Sequence, residues 1–469
     1  MVLSDKNKGI KELLSEGADE RIFLDEHGLS KYGISLVNTE TINRGSCTAS
    51  PVTKEDMAIM EKLLQEQQTM NDWVEAQEQR TQQLKSWLNE EGENLFEIFY
   101  APSGTDLFYY PIMFGKLLNP GKKIINLVTC REELGSGTPY AAEARYYSNY
   151  NQFGDNITKG KPLMQPDELE TIFFEARSAD GQILNHNEKI RRLIYQNPDN
   201  PIIVNLVYGS KSGISDNIRI IDTVDAPNVI WSIDMCQLRH QRDIIRLMLK
   251  NNAMVMITGS KFYQAPPFCA ALLVPDNVYT QILKAKGFDQ IDRFGSIFSK
   301  YDLPKALRDQ INFPDKLNIS GSLRWALTVN EINKYYNLGV ERTEEIIERW
   351  NATMINEIKD RDNFELMPSQ EITNKSIISF RVKINGSYLN HQQLKKLHRA
   401  IVTSDYNETY GFSTLFIGQP VAYENKSFLR IAIGSKNVRR FAETNEQKFD
   451  LDKNILTIIE TKLKELYDH

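Results

Sequence analysis

Between residues 93 and 275, short apolar runs alternate with polar or amphipathic stretches: LFEIFYA, KIINLVT, PIIVNLV, VIWSID, AMVMIT and CAALLV. Runs this short, rich in β-branched and aromatic residues, predict strands of a largely parallel sheet covered on both faces, an α/β layer. Upstream, from Thr53 to about residue 89, Met57, Met60, Leu63, Leu64, Met70, Trp73, Val74, Leu84, Trp87 and Leu88 recur at helical spacing. The heptad breaks around Gln77 to Gln83, which favours a helix or helix pair packed on a domain over a coiled coil. Downstream, ERTEEIIERWNATMINEIK at about 341–359 puts Ile346, Ile347, Trp350, Met354, Ile355 and Ile358 on one side. SIISFRVKI, a polar helix around 391–403, FLRIAIG and a last helix at about 451–467 then predict a smaller α+β domain. The expected organisation is an N-terminal arm over 1–52, a large α/β domain over 53–335 opening with the 53–89 helix, and a small domain over 336–469, to which the arm is a candidate addition. The Asn-rich stretch from Ser148 to Asp167 predicts a surface excursion.

Composition narrows the class. Over 469 residues, 41% are hydrophobic and 25% charged, close to globular averages, so disorder and fibres are excluded. With 56 basic against 62 acidic residues the net charge is −6, and no excess positive field exists to hold nucleic acid or an anionic membrane. Any bound anion must be caught locally. Cys47, Cys130, Cys236 and Cys269 form no C-x-x-C pair, which predicts reduced thiols. The start, MVLSDKNKGIKELLSEG, lacks an apolar leader region, and no run of eighteen apolar residues occurs, so a cytoplasmic protein is expected. The six histidines, including His240, His391 and His398, show no i, i+4 pair beside a carboxylate motif, and no metal site is inferred.

The residues just past each strand-like run carry the chemistry. After FYA comes Pro102-Ser103-Gly104-Thr105, after NLVT comes Cys130-Arg131-Glu132-Glu133, after VNLV comes Tyr208-Gly209-Ser210-Lys211-Ser212, VIWSI ends at Asp234, and VMI leads into Thr258-Gly259-Ser260-Lys261. Ligands of open α/β sheets sit outside the carboxyl ends of the strands, so these clusters should converge on one crevice. Lys261, just beyond an apolar strand, is placed where desolvation lowers an ammonium pKa and frees a nucleophilic amine, although most strand-end lysines are simply solvated. Asp234 is costly at the end of an apolar strand unless it meets a cation or several donors, and otherwise reads as a cap for the following helix. Together the two residues suit a pyridinium cofactor, in which a carboxylate keeps the ring nitrogen protonated while a lysine holds the aldehyde. Ser103-Gly104-Thr105 offers hydroxyls and N–H groups to a phosphate, or serves as an ordinary helix cap.

The ordered set Ser103-Gly104-Thr105, Asp234-x-x-Gln237 and Thr258-Gly259-Ser260-Lys261 resembles the fold-type-I pyridoxal-phosphate-dependent enzymes, most closely their class V aminotransferase and cysteine desulfurase branch. The resemblance is clear over about 93–275. It implies that Lys261 is the Schiff-base lysine and later the proton shuttle, that Asp234 partners the ring nitrogen, and that Gln237 bonds the phenolic oxygen. Gly104, Thr105, Thr258 and Ser260, with Ser103, would hold the phosphate. Arg430 in FLRIAIG falls where the family's arginine forks the substrate carboxylate, its bland alternative being a surface strand arginine. A homodimer is implied, with Ser296 in RFGSIFSKYD a candidate contact to the partner's phosphate.

Departures are also visible. Ser260 stands where the branch commonly has histidine, and Ala265-Pro266 where Gly-Pro is frequent. TCREELGSG supplies no aromatic to cover the ring, so Glu133 is the candidate there, with GSGTP at 135–139 closing from above. No cysteine follows Cys269, which argues against a desulfurase. GSGTP and GSKSG at 209–213 do not satisfy the P-loop pattern. NRGSCTAS at 43–50 reads as a plain loop in preference to an arm reaching the substrate. The expectation is a pyridoxal-phosphate enzyme acting on an amino acid or amine by transamination. A lyase, decarboxylase or acyl-condensing enzyme is the alternative, and a non-catalytic relative that binds partners is a third reading.

Overall fold

Each of the six short apolar runs read as strands between residues 93 and 275 becomes one. A computed structural model describes residues 9–179, 181–239, 242–368, 375–423 and 427–467, so His240 lies outside the described residues. In chain order the strands are β1 (Thr41–Arg44), β2 (Phe96–Ala101), β3 (Ile124–Val128), β4 (Leu169–Phe173), β5 (Ile202–Val207), β6 (Val229–Asp234), β7 (Met254–Thr258), β8 (Ala270–Pro275), β9 (Phe364–Leu366), β10 (Ile377–Ile384), β11 (Ser387–Tyr388), β12 (Thr414–Val421) and β13 (Phe428–Ala432).

The large sheet has seven strands in the order β2-β8-β7-β6-β5-β3-β4. β4, β3, β5, β6 and β7 run parallel, and β8 is antiparallel to both β7 and β2. β2 therefore points the same way as the parallel five, and all six carboxyl ends lie on one edge. Alternate residues serve opposite faces, as a pleated strand requires. Ile202, Val204 and Leu206 pack into one core with Ile190, Ile194, Ile245 and Met248 of the helices Asn187–Gln196 and Arg242–Lys250. Ile203 and Val207 pack into another with Ile112, Met113 and Phe114 of the helix Tyr109–Leu118. Both faces are dry, which is why these runs are continuously apolar. β4, at the edge, is only partly buried, and its sequence LETIF carries no such signal.

The leading helical segment is two helices, Lys54–Glu66 and Met70–Leu88. Thr53 and Thr69 accept from the backbone N–H of Asp56 and Asp72, and each aspartate accepts in return from the threonine's N–H. These capping boxes set the starts. The break between the two helices falls at residues 67–69, where a reciprocal cap starts the second, and Gln77 to Gln83 lie within that second helix. The stretch from Ser148 to Asp167 is not wholly a surface excursion. Ser148, Asn151 and Gln152 are buried, and Gln152 Nε2 donates to the Ile297 carbonyl at 2.7 Å and to Asp302 Oδ2 at 2.9 Å.

The small sheet follows the order β1-β12-β13-β10-β11, with β9 on the other side of β10. β1, from the amino-terminal segment, pairs in parallel with β12. Arg44 at its end meets Asp452 of the helix Asp450–Tyr467 through Nε–Oδ1 at 2.5 Å and Nη2–Oδ2 at 2.9 Å, and the Trp350 indole N–H donates to the same carboxylate at 2.9 Å. All three side chains are buried. Asp452→Ala would strand a guanidinium and an indole N–H, and is expected to cost about 3–5 kcal/mol. A lowered urea midpoint checks this, and a loss below about 1 kcal/mol would contradict it.

Candidate active site

The carboxyl edge of the large sheet gathers the polar clusters. Two glycines set their spacing. A Cβ on Gly104 would lie 2.8 Å from Cys236 Sγ, so the Ser103-Gly104-Thr105 turn sits against the end of β6. A Cβ on Gly259 would lie 2.0 Å from Thr328 Oγ1 of the helix Ile319–Tyr336, so the turn carrying Ser260 and Lys261 passes where only a glycine fits. Thr258 Oγ1 donates to the Cys236 carbonyl at 2.7 Å, tying the ends of β6 and β7 together.

Lys261 Nζ donates to the Thr48 carbonyl at 2.5 Å. Burial, and then the Arg430 guanidinium, push its pKa down to about 8. Asp234 accepts from the Cys236 N–H at 2.9 Å, and burial raises its pKa despite the opposing pull of Lys261 and Lys211. The strand-end lysine and aspartate thus share one desolvated crevice on neighbouring parallel strands.

Arg430 is not a surface residue. It is 2% exposed in the middle of β13, and its Nη2 donates to Thr48 Oγ1 at 3.0 Å and to the Gln419 carbonyl at 2.8 Å. The small sheet therefore presents a guanidinium toward Lys261. The segment NRGSCTAS, read as a plain loop, supplies part of the wall: Thr48 serves both Lys261 and Arg430, and the Cys47 carbonyl accepts from Gln237 Nε2 at 2.9 Å. Gln237 Oε1 accepts from Arg239 Nε, and Arg239 further bonds Ser46, Ser376 and the Ile433 carbonyl, closing the joint between the sheets.

The geometry bears on three of the expected site residues. Glu133 offers no open carboxylate to cover a ring: its oxygens accept from the hydroxyls of Ser210, Ser212 and Tyr423 and from the Ser212 N–H, and Arg177 Nε lies 4.0 Å away. The turn after β3 explains this, because Cys130 takes a left-handed φ of 51° and directs the next residues toward the 209–213 loop. Ser103 is also partly committed, since its N–H and hydroxyl both donate to Asp106 Oδ2, at 2.9 and 2.7 Å. Ser296 lies apart from the crevice, its hydroxyl bonded to Tyr146 and to the Arg293 carbonyl, each at 2.7 Å.

Sequence reasoning missed one cation, Arg21, and gave another, Lys211, no role of its own. Arg21 reaches Ser103 Oγ at 2.9 Å and Thr105 Oγ1 at 3.4 Å while its charge is met by Asp19 at 2.6 Å. Burial alone would lower its pKa, but the Asp19 carboxylate and the neighbouring tyrosines raise it. Nothing in DERIF marks that reach. Lys211 is visible in GSKSG, but a turn that fails the nucleotide-binding pattern gives no other reason to single it out. Its charge is coupled to those of Arg430, Glu133, Lys261 and Asp234, and its Nζ donates to the Leu134 carbonyl.

No protein-family model and no curated protein sequence matches the chain. Solved structures do. A NifS-like protein from Rickettsia africae superposes with a TM-score of 0.53 at 13% identity, covering 92% of this chain and 100% of that one. Mouse CSAD gives 0.53 at 15% identity over 87% and 80% of the two chains. A ureidoglycine-glyoxylate aminotransferase from Bacillus subtilis gives 0.52 at 14% identity over 88% and 90%. The chain has the fold-type-I architecture that its motifs implied.

The depressed lysine yields a direct expectation. Below its pKa Lys261 is protonated and unreactive, so its acylation rate should rise with pH and level off near 8. Exposed lysines should keep rising to about 10. Mass-spectrometric labelling across pH checks this, and a plateau for Lys261 as late as that of exposed lysines would contradict it.

Proposed function

We propose that the chain is a pyridoxal-phosphate-dependent enzyme acting on an amino acid, with transamination the reaction its site suits best. The observation that carries this reading is the joint desolvation of Lys261 and Asp234 at neighbouring strand ends, with a buried arginine opposite. The residues fit the cofactor. Lys261 would hold the aldehyde, Asp234 the ring nitrogen, and Ser103, Gly104, Thr105, Thr258 and Ser260 the phosphate, with Arg21 added as its cation. Gln237 has one amide N–H engaged with Cys47 and would lend the other to the phenolic oxygen.

When bound, pyridoxal phosphate supplies an aldehyde for the substrate amine and a ring that draws electrons from the α-carbon. The protein does the rest. Asp234, the carboxylate in the crevice, stabilises positive charge on a ring nitrogen in a medium where such a charge is otherwise costly. Lys261 Nζ, neutral above about pH 8, can take and return the α-proton. Arg430 is held by the Gln419 carbonyl, Thr48 Oγ1 and the Lys211 carbonyl, which leaves one Nη1 N–H to donate to the α-carboxylate. A carboxylate gripped this way is retained, which favours transamination over decarboxylation. A homodimer, in which Ser296 would approach the partner's phosphate, belongs to the same proposal.

The test is a mass-spectrometric screen of amino acids with the pyridoxal-phosphate-supplied protein and 2-oxo acid acceptors. Turnover is expected for at least one amino acid and should vanish in Lys261→Ala, whereas undiminished turnover in that variant would overturn the assignment. Arg430→Ala should raise KM for carboxylated substrates by about tenfold or more while leaving decarboxylated amines within about twofold. Equal effects on both would remove Arg430 from the carboxylate.

A further inference from the structure

We infer that the substrate is a dicarboxylic amino acid whose second carboxylate is received by Lys211. The inference rests on the proposed cofactor reading, in which Lys261 and Asp234 are committed to the cofactor and Arg430 to the α-carboxylate.

The crevice holds unmatched positive charge. Among the described residues, no carboxylate oxygen comes within 4.0 Å of Lys211, Lys261 or Arg430. The acids nearby are already satisfied. Glu133 has its four acceptor positions filled and Arg177 beside it, and Asp19 is taken by Arg21. Lys211 Nζ donates to the Leu134 carbonyl, which leaves two of its three N–H groups without a protein acceptor among the described residues. A half-buried ammonium in that state favours an anion that completes its hydrogen bonds.

The lysine is also held in place from below. Gly209 and Gly213 adopt φ of 85° and 84°, a conformation that lets the 209–213 turn fold back on itself. Ser210 and Ser212 fasten that turn to Glu133, and Arg430 Nη1 reaches the Lys211 carbonyl at 3.5 Å. One cation for each carboxylate is thus fixed in place, the two linked through the bond of Arg430 Nη1 to the Lys211 carbonyl. Charge-assisted hydrogen bonds in such a setting discriminate strongly between a substrate that completes them and one that leaves them empty.

Calorimetric titration of the pyridoxal-phosphate-supplied protein with succinate, glutarate and butyrate tests the inference. At least one dicarboxylate should bind about tenfold tighter than butyrate. That preference should collapse to about twofold in Lys211→Met and persist in Lys211→Arg, with the cofactor absorption band retained in both. No preference in the parent protein, or a preference unchanged in Lys211→Met, would overturn the inference. Loss of the cofactor band in Lys211→Met with the preference intact would also overturn it, because the lysine would then serve the cofactor. Failure of the parent protein to take up the cofactor would instead strike the functional reading beneath it.

A second measurement needs no Lys211→Met variant. Burial and the Arg430 charge lower Lys211 to about 7, with Glu133 and Asp234 pulling it up and Lys261 pushing it down. The parent's dicarboxylate preference should weaken as pH rises from about 6 to about 9, while that of Lys211→Arg should not. Parallel pH profiles would contradict the assignment.

Discussion

Two part-buried lysines, Lys261 and Lys211, and the buried Arg430 meet near the Asp234 carboxylate where the large and small sheets join, and much of the site's architecture compensates for that excess of positive charge. Backbone carbonyls do part of the work. Thr48, Leu134 and Gln419 each lend an oxygen to one of the three, and these carbonyls come from three separate parts of the chain. Dipoles of this kind soften the cost of a buried cation without neutralising it. The crevice therefore stays electropositive, a property suited to an anionic cofactor and substrate in a protein whose overall charge is negative.

The amino-terminal segment joins the body of the protein rather than decorating it. Its strand completes the small sheet, its Thr48 touches both Lys261 and Arg430, and its Arg21 reaches the turn at Ser103. Each contact spans at least several tens of residues in sequence, so no local pattern announces it. The same holds for three of the four bonds of Arg239, which reach Ser46 after the first strand, Ser376 before β10 and the Ile433 carbonyl after β13.

Legibility followed burial. Strands buried on both faces must be apolar throughout, so β2, β3, β5, β6, β7 and β8 stood out, and the polar residues just past them marked the site edge. Half-buried elements such as β4 and β1 can carry almost any composition and did not. Lys261 and Asp234 were legible because a charge next to an apolar run needs a reason. Arg430 sat in an equally apolar run, yet whether such an arginine faces solvent or a crevice is decided by the pairing of β13 with β10 and β12, which the sequence does not state. The partners that enclose Glu133 were not legible, since its orientation depends on a left-handed residue, Cys130, of a type that seldom adopts that conformation.

Two desolvated lysines share the crevice, and the carbonyl chemistry is assigned to the one beyond β7, beside the strand that ends in Asp234. Borohydride reduction of the pyridoxal-phosphate-supplied protein, followed by peptide mapping, separates the two directly. A pyridoxyl mass is predicted on the peptide containing Lys261 and none on the peptide containing Lys211. An adduct on Lys211, or no fixed adduct at all, would contradict the assignment.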